Sequence, residues 1–324
     1  MNEMNIKISV TDPVGKAIER TKTILFSPFD MGKWFTVGFC AWLAFLGEGG
    51  GFNGGGGNNQ GGSPNFSDVG HYIQSNLYWI IPVGLVVFVS VISILLGLAW
   101  LRCRGKFMFL HCVAQNKAEV VIPWKEYIVE GNSLFVFKVV FGVISLACFI
   151  PLVVGWIAVV IPLIRSERLL IASIGMIIVL SLLTITLAIV LALVAKFTDH
   201  FVVPTMYIHR IRCREAWGRF WELLKMNIGR FIVFALFLLL LNIAASTLVI
   251  LAIFATCGCA CCFLMTPFIG TVVMLPIYVF LRSYSAYYLA QYGPQWDVFA
   301  PLTVNAVIVD TPPINPDNFF REQE

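Results

Sequence analysis

Charge is scarce in this sequence. Only 12% of its 324 residues are Asp, Glu, Lys or Arg, while 59% are hydrophobic; ordinary soluble domains carry about 25% charge. That balance excludes a water-soluble globular protein. Signatures of familiar chemistry are missing as well. The sequence has no nucleophile-elbow Gly-x-Ser-x-Gly, no His-Glu-x-x-His and no Gly-Lys-Ser/Thr. Its four histidines (His71, His111, His200 and His209) are scattered. The glycine-rich stretch 47–76 contains neither Lys nor Arg, so it is no phosphate loop. These absences set the expectation of a protein that is not an enzyme and holds no cofactor or metal. No cleavable signal peptide is visible either, and the polar opening is expected to be retained.

What the chain has instead is long apolar runs. Residues 77–101, 134–164, 169–195, 231–256 and 261–281 are each long enough to cross a hydrocarbon core of about 30 Å at about 1.5 Å per residue. With a shorter run at 34–46 they predict six crossings. If the chain starts in the cytoplasm and crosses at each run, every Lys and Arg except Arg165 and Arg168 falls on the inner side. The positive-inside rule thus predicts both termini in the cytoplasm. The short run counts as a span because the basic N-terminus and the other basic loops could not otherwise share one side. Lys138, near the start of its run, is expected to snorkel to the interface.

Three modules recur, each an amphipathic segment followed by a helical hairpin. Thr11-Asp12-Pro13 reads as a helix start, and Val14, Ala17, Ile18, Thr21, Ile24 and Leu25 then share one face. Pro123 opens a second such segment, with Trp124, Tyr127 and Ile128 together. In the third, Ala216, Trp217, Phe220, Trp221 and Leu224 lie opposite Glu215, Arg219, Glu222 and Lys225. Short helices in the cytoplasmic interface are predicted. Pro123-Trp124 and Ala216-Trp217 stand about 93 residues apart, consistent with a repeat. The fold class is therefore an all-α integral membrane protein: six transmembrane helices as three hairpins, with interfacial amphipathic helices. The domains divide as a cytoplasmic segment 1–32, a transmembrane domain 33–293 with the outside loop 47–76, and a cytoplasmic tail 294–324. Alternating residues 4–10 and the β-forming stretch 302–309 allow a small terminal β pairing.

Few residues stand out as sites. Asn242 is the most polar residue deep in the fifth run and is expected to make an interhelical polar contact. Cys257, Cys259, Cys261 and Cys262 crowd one outside turn, readable as close-packing thiols, as a disulfide, or as a thiolate metal site whose spacing is poor. Arg210, Arg212 and Arg214, leading into Trp217 and Trp221, place cations beside aromatics at the inner surface. That composition fits anionic lipid headgroups, or simply enforces topology. The patch is too short and too close to the membrane for nucleic acid. Gly142, Ala147, Gly155, Gly175 and Gly270 are small residues placed for close helix contact.

The run from Asp199 to Tyr207, followed by Arg214-Glu215-Ala216-Trp217 and a Leu-rich span, resembles a group of uncharacterised bacterial and archaeal multi-pass proteins. Phe280-Leu281-Arg282-Ser283-Tyr284 and Leu289-Ala290-Gln291-Tyr292-Gly293 carry the same likeness. The architecture is also similar to the membrane part attached to some bacterial glycerophosphodiester phosphodiesterases. The resemblance covers residues 196–294 and implies an all-helical fold in a prokaryotic inner membrane. It implies no phosphodiesterase activity and assigns no residue a role.

The expected function is a non-catalytic membrane scaffold that contacts lipids and forms homo-oligomers. A transporter or channel lined by hydroxyls and Asn242 is the alternative. A third reading is an accessory subunit that binds a protein partner through its C-terminal tail.

Overall fold

In a computed structural model the chain is described over residues 8–46, 66–165, 170–256 and 258–300. These residues fold into helices, with no strand among them. The predicted pairing of 4–10 with 302–309 lies almost wholly outside the described residues. Four long helices dominate: α3 (Phe66–Gln115), α5 (Ile128–Arg165), α6 (Leu170–Phe197) and α9 (Ile228–Ala255). Each contains a segment long and apolar enough to cross a membrane. α6 continues through a π turn (Thr198–Val202) into α7 (Val203–His209).

The two remaining apolar runs take another form. The first is α2 (Met31–Ala44), whose 14 residues span about 21 Å. The last is broken into α10 (Cys259–Met265), α11 (Pro267–Val273) and α12 (Leu275–Ala290). Each break precedes a proline. Thr266, before Pro267, is pushed to extended backbone (φ −75°, ψ 121°), because the proline ring disfavours helical conformation in the residue it follows. Four continuous candidate spans are therefore present among the described residues, where apolar length alone predicts six.

The three amphipathic segments are helices: α1 (Asp12–Leu25), α4 (Val121–Glu126) and α8 (Cys213–Met226). α4 and α8 meet the long helix that follows through one kinked residue of similar conformation, Tyr127 (φ −104°, ψ 33°) and Asn227 (φ −133°, ψ 31°). α1 is closed at its start by Ser9, whose Oγ accepts from the backbone N–H of Thr11 and Asp12. The Gln291 side-chain amide then clamps the Ser9 backbone, accepting from its N–H at 2.8 Å and donating to its carbonyl at 2.9 Å. The N-terminal segment is thus tied to the end of α12.

Burial is concentrated at one end of the molecule. Phe107, Tyr127, Tyr207, Phe220, Phe231, Phe234, Tyr284 and Tyr288 are almost wholly enclosed. Phe201, on the π turn, sits at the centre, with ring centroids of Phe234, Phe231 and Phe220 at 4.9, 5.1 and 5.2 Å. A second cluster joins α1, α2, α3 and α12 through Ile24, Val37, Phe109, Val113 and Val279. At the other end the long helices face outward. Over residues 81–98 of α3 every side chain is exposed, Val86 to 64% and Leu95 to 59%.

Small residues do permit close contact, but mostly not where the spacing suggests. At Gly142 and Gly175 a Cβ would meet nothing. At Gly155 a Cβ would sit 3.3 Å from Leu180 on α6, and at Gly270 it would strike the Leu264 carbonyl oxygen within the α10–α11 corner. The tight crossing is at Gly105, where a Cβ would lie 2.6 Å from the Leu43 carbonyl carbon and 2.7 Å from the Ala44 nitrogen. Backbone atoms cannot step aside as a side-chain tip can. Gly105→Val is accordingly expected to lower stability by about 1–3 kcal/mol or more through overpacking, while Gly142→Val stays within about 0.5 kcal/mol. Denaturant titration in mild detergent, followed by tryptophan fluorescence, measures both.

Candidate functional site

The site is built on a carboxylate in an apolar setting. Asp199 lies on the π turn between α6 and α7, its side chain 21% exposed. Lys106 of α3 donates to one carboxylate oxygen at 2.5 Å, and Lys138 of α5 donates to the other at 2.8 Å. Lys138 thus turns inward to a partner instead of snorkelling outward as expected. Neither lysine has an acidic residue within four positions in sequence, so each can be neutralised only across helices. Isolated charges in apolar helices are costly unless paired in this way.

The local sequence also opens the backbone at this point. In a π turn the carbonyl of residue i looks to the N–H of residue i+5. For Asp199 that residue is Pro204, which has no N–H, and the Val203 N–H is already taken by Thr198. The Asp199 carbonyl is left without a helical donor. Arg282 of α12 supplies one, with Nη1 donating at 2.5 Å. One residue therefore gathers three helices around its own: α3 and α5 through its carboxylate, α12 through its carbonyl.

Beside this junction lies a cavity of about 470 Å³. Its polar wall comprises Lys106, Lys196, Asp199, His200 and Arg282, with Asn242 and Ser246 of α9. Its apolar wall includes Phe45, Phe109, Val249, Ile250, Met274 and Ile277. Three cationic side chains thus face one carboxylate, which is already shared by two lysines. Arg282 is 9% exposed, yet among the described residues its Nε and Nη2 have no hydrogen-bond partner, and neither has Nδ1 of His200.

The residues singled out by sequence divide. Asn242 lines this cavity, but its amide donates to the Leu238 carbonyl of its own helix at 2.7 Å; the expected interhelical contact is replaced by a bond one turn back. Arg210 ends α7 in a left-handed conformation, pairs with Glu126 and lies 3.8 Å from the centre of the Tyr127 ring. It is committed to the protein. Arg212, Arg214 and Trp221 remain exposed at the start and outer face of α8, and Trp217 packs on Phe137 and Phe220. Cys261 and Cys262 carry free thiols on α10. Cys257 and the Cys259 side chain lie outside what is described.

Two measurements test this description. Asp199→Asn leaves buried Lys106 and half-buried Lys138 without their countercharge and is expected to destabilise the fold by about 3–5 kcal/mol. Lys138→Met, which leaves Lys106 paired, should have a smaller effect; equal stability of Asp199→Asn and wild type would refute the junction. Burial pushes the Cys213 thiol up to about 12, so at pH 7.5 it is protonated as well as enclosed. Maleimide labelling with peptide mapping should modify exposed Cys262 while Cys213 reacts only after unfolding.

No curated protein and no solved structure matches the chain. One family does, over residues 8–277: a family of unknown function (DUF7544). The match covers most of the sequence, and the chain belongs to that family. The uncharacterised part of the sequence resemblance stands; the likeness to phosphodiesterase membrane domains finds no support.

Proposed function

We propose that this member of the DUF7544 family is a non-catalytic membrane scaffold that contacts lipid and assembles with further copies of itself. The observation that carries the reading is the division of the molecule into a packed end and outward-facing spans. Residues 81–98 of α3 present apolar side chains on all sides, a surface that only acyl chains or neighbouring apolar helices satisfy. In this reading α2 and the broken run α10–α12 complete two further crossings, for six in all as three hairpins. The packed end, which carries Arg104, Lys106, Arg210, Arg212 and Arg214, faces the cytoplasm of a prokaryotic cell. Both termini then lie inside. A protein partner would bind through the C-terminal tail, beyond the point where Trp296 and Val298 pack into the fold.

A second reading, carriage of a small solute, is favoured by the cavity beside Asp199, which contains both Asn242 and charge. Native mass spectrometry of the protein extracted gently from its own membrane separates the two. Discrete oligomers retaining several lipids support the scaffold. A lipid-free monomer that keeps one defined polar solute overturns it in favour of carriage.

A further inference from the structure

The cavity beside Asp199 has the chemistry of a ligand seat, and the arginine on its wall is incompletely used. Arg282 spends Nη1 on the Asp199 carbonyl. Its Nε and Nη2, the adjacent pair that forms the side-on fork of a guanidinium, are enclosed and have no partner among the described residues, and the residue is about nine-tenths buried. A buried guanidinium normally satisfies those donors, because leaving charged N–H groups unbonded in an apolar setting is expensive. Among the described residues the one carboxylate on the cavity wall is held by Lys106 and Lys138, so it cannot serve them. Lys106, Lys196 and Arg282 outnumber that carboxylate on the wall, so what the cavity fits is an oxyanion from outside the chain, such as a phosphate or carboxylate.

The remainder of the wall narrows the ligand. Lys196 brings a further cation to the same space. Val249, Ile250, Met274 and Ile277 line it with apolar surface contributed by the outward-facing helix α9 and by the start of α12. A volume of about 470 Å³ far exceeds that of a single anion. We propose that this cavity seats the phosphate headgroup of an anionic lipid beside Arg282 and Lys196, with an acyl chain along Val249 and Ile250. The assignment rests on the lipid-contacting reading above and gives it a specific site and class of ligand.

The test uses the full-length protein in neutral detergent, titrated with dioleoyl phosphatidylglycerol, dioleoyl phosphatidylcholine or inorganic phosphate, with binding followed by native mass spectrometry. Phosphatidylglycerol is expected to bind in one-to-one stoichiometry at least about tenfold more tightly than phosphatidylcholine, because the zwitterion brings its own cation against Arg282 and Lys196. Arg282→Gln should weaken phosphatidylglycerol binding by about tenfold or more. Arg282 also supports the Asp199 carbonyl, so a second variant avoids that junction. Ser246→Trp fills the cavity from α9 and should weaken binding to a similar extent. The exposed pair Arg212→Gln and Arg214→Gln should leave it unchanged. Equal binding of the two lipids, or retention of full affinity by Ser246→Trp, overturns the proposal. Inorganic phosphate at millimolar concentration that displaces the lipid and binds equally well to Ser246→Trp overturns the lipid assignment. Loss of the preference in Arg282→Gln while generic lipids still co-purify shows that scaffold contact and headgroup seat are separate properties. Absence of any retained lipid removes the scaffold reading itself.

Discussion

The shared carboxylate of Asp199 is the interaction around which the packed end is organised. Two lysines from separate long helices meet its two oxygens, and its carbonyl holds an arginine from a third. Each partner is placed where an unpaired charge would be strongly disfavoured, so the three contacts depend on one another. Buried ion pairs contribute little net stability compared with apolar packing of the same volume, but removing one member leaves the others exposed to the full desolvation penalty. The effect is specificity of arrangement. α3, α5, the π turn and α12 can associate in few other registers that satisfy all four charged groups.

Aromatic packing then completes what the charges position. Phe201 lies two residues after Asp199 on the same π turn, and places its ring among Phe220, Phe231 and Phe234. The extra residue of the π turn therefore serves two purposes: it frees a carbonyl for Arg282, and it orients an aromatic ring into the core. Gly105 lies one residue before Lys106 and lets α2 approach until its backbone touches α3. Close helix approach, ion pairing and ring stacking thus fall on a single band across the molecule. The cavity lies along that band, bounded by its cations on one side and by the apolar outer helices on the other.

Several elements were legible from local pattern. The amphipathic periodicity of residues 12–25 and 213–226 corresponds to α1 and α8, because helix faces are set by neighbours three and four positions away. Four of the five long runs became long helices. Pattern was weaker where a proline intervened. The run at 261–281 has the apolar length of a span, yet Pro267 and Pro276 each open a new helix within it. Local signals also misplaced Lys138. Its position near a helix start suggested the interface, while its partner stands 61 residues away.

The sequence by itself determined that this is a helical membrane protein with amphipathic helices at defined places, since hydrophobicity and periodicity are properties of contiguous residues. It also contained a partial hint of the site: Lys106 and Lys138 sit in apolar stretches without a nearby acid, and Pro204 lies five residues beyond Asp199. Such isolated charges announce that a partner exists without naming it. Only the tertiary structure decided which carboxylate answers which lysine, and that Asn242 turns back on its own helix. It alone placed Arg282 on the wall of a cavity. Those outcomes depend on the relative placement of helices distant in sequence, and no periodicity within one segment encodes that placement.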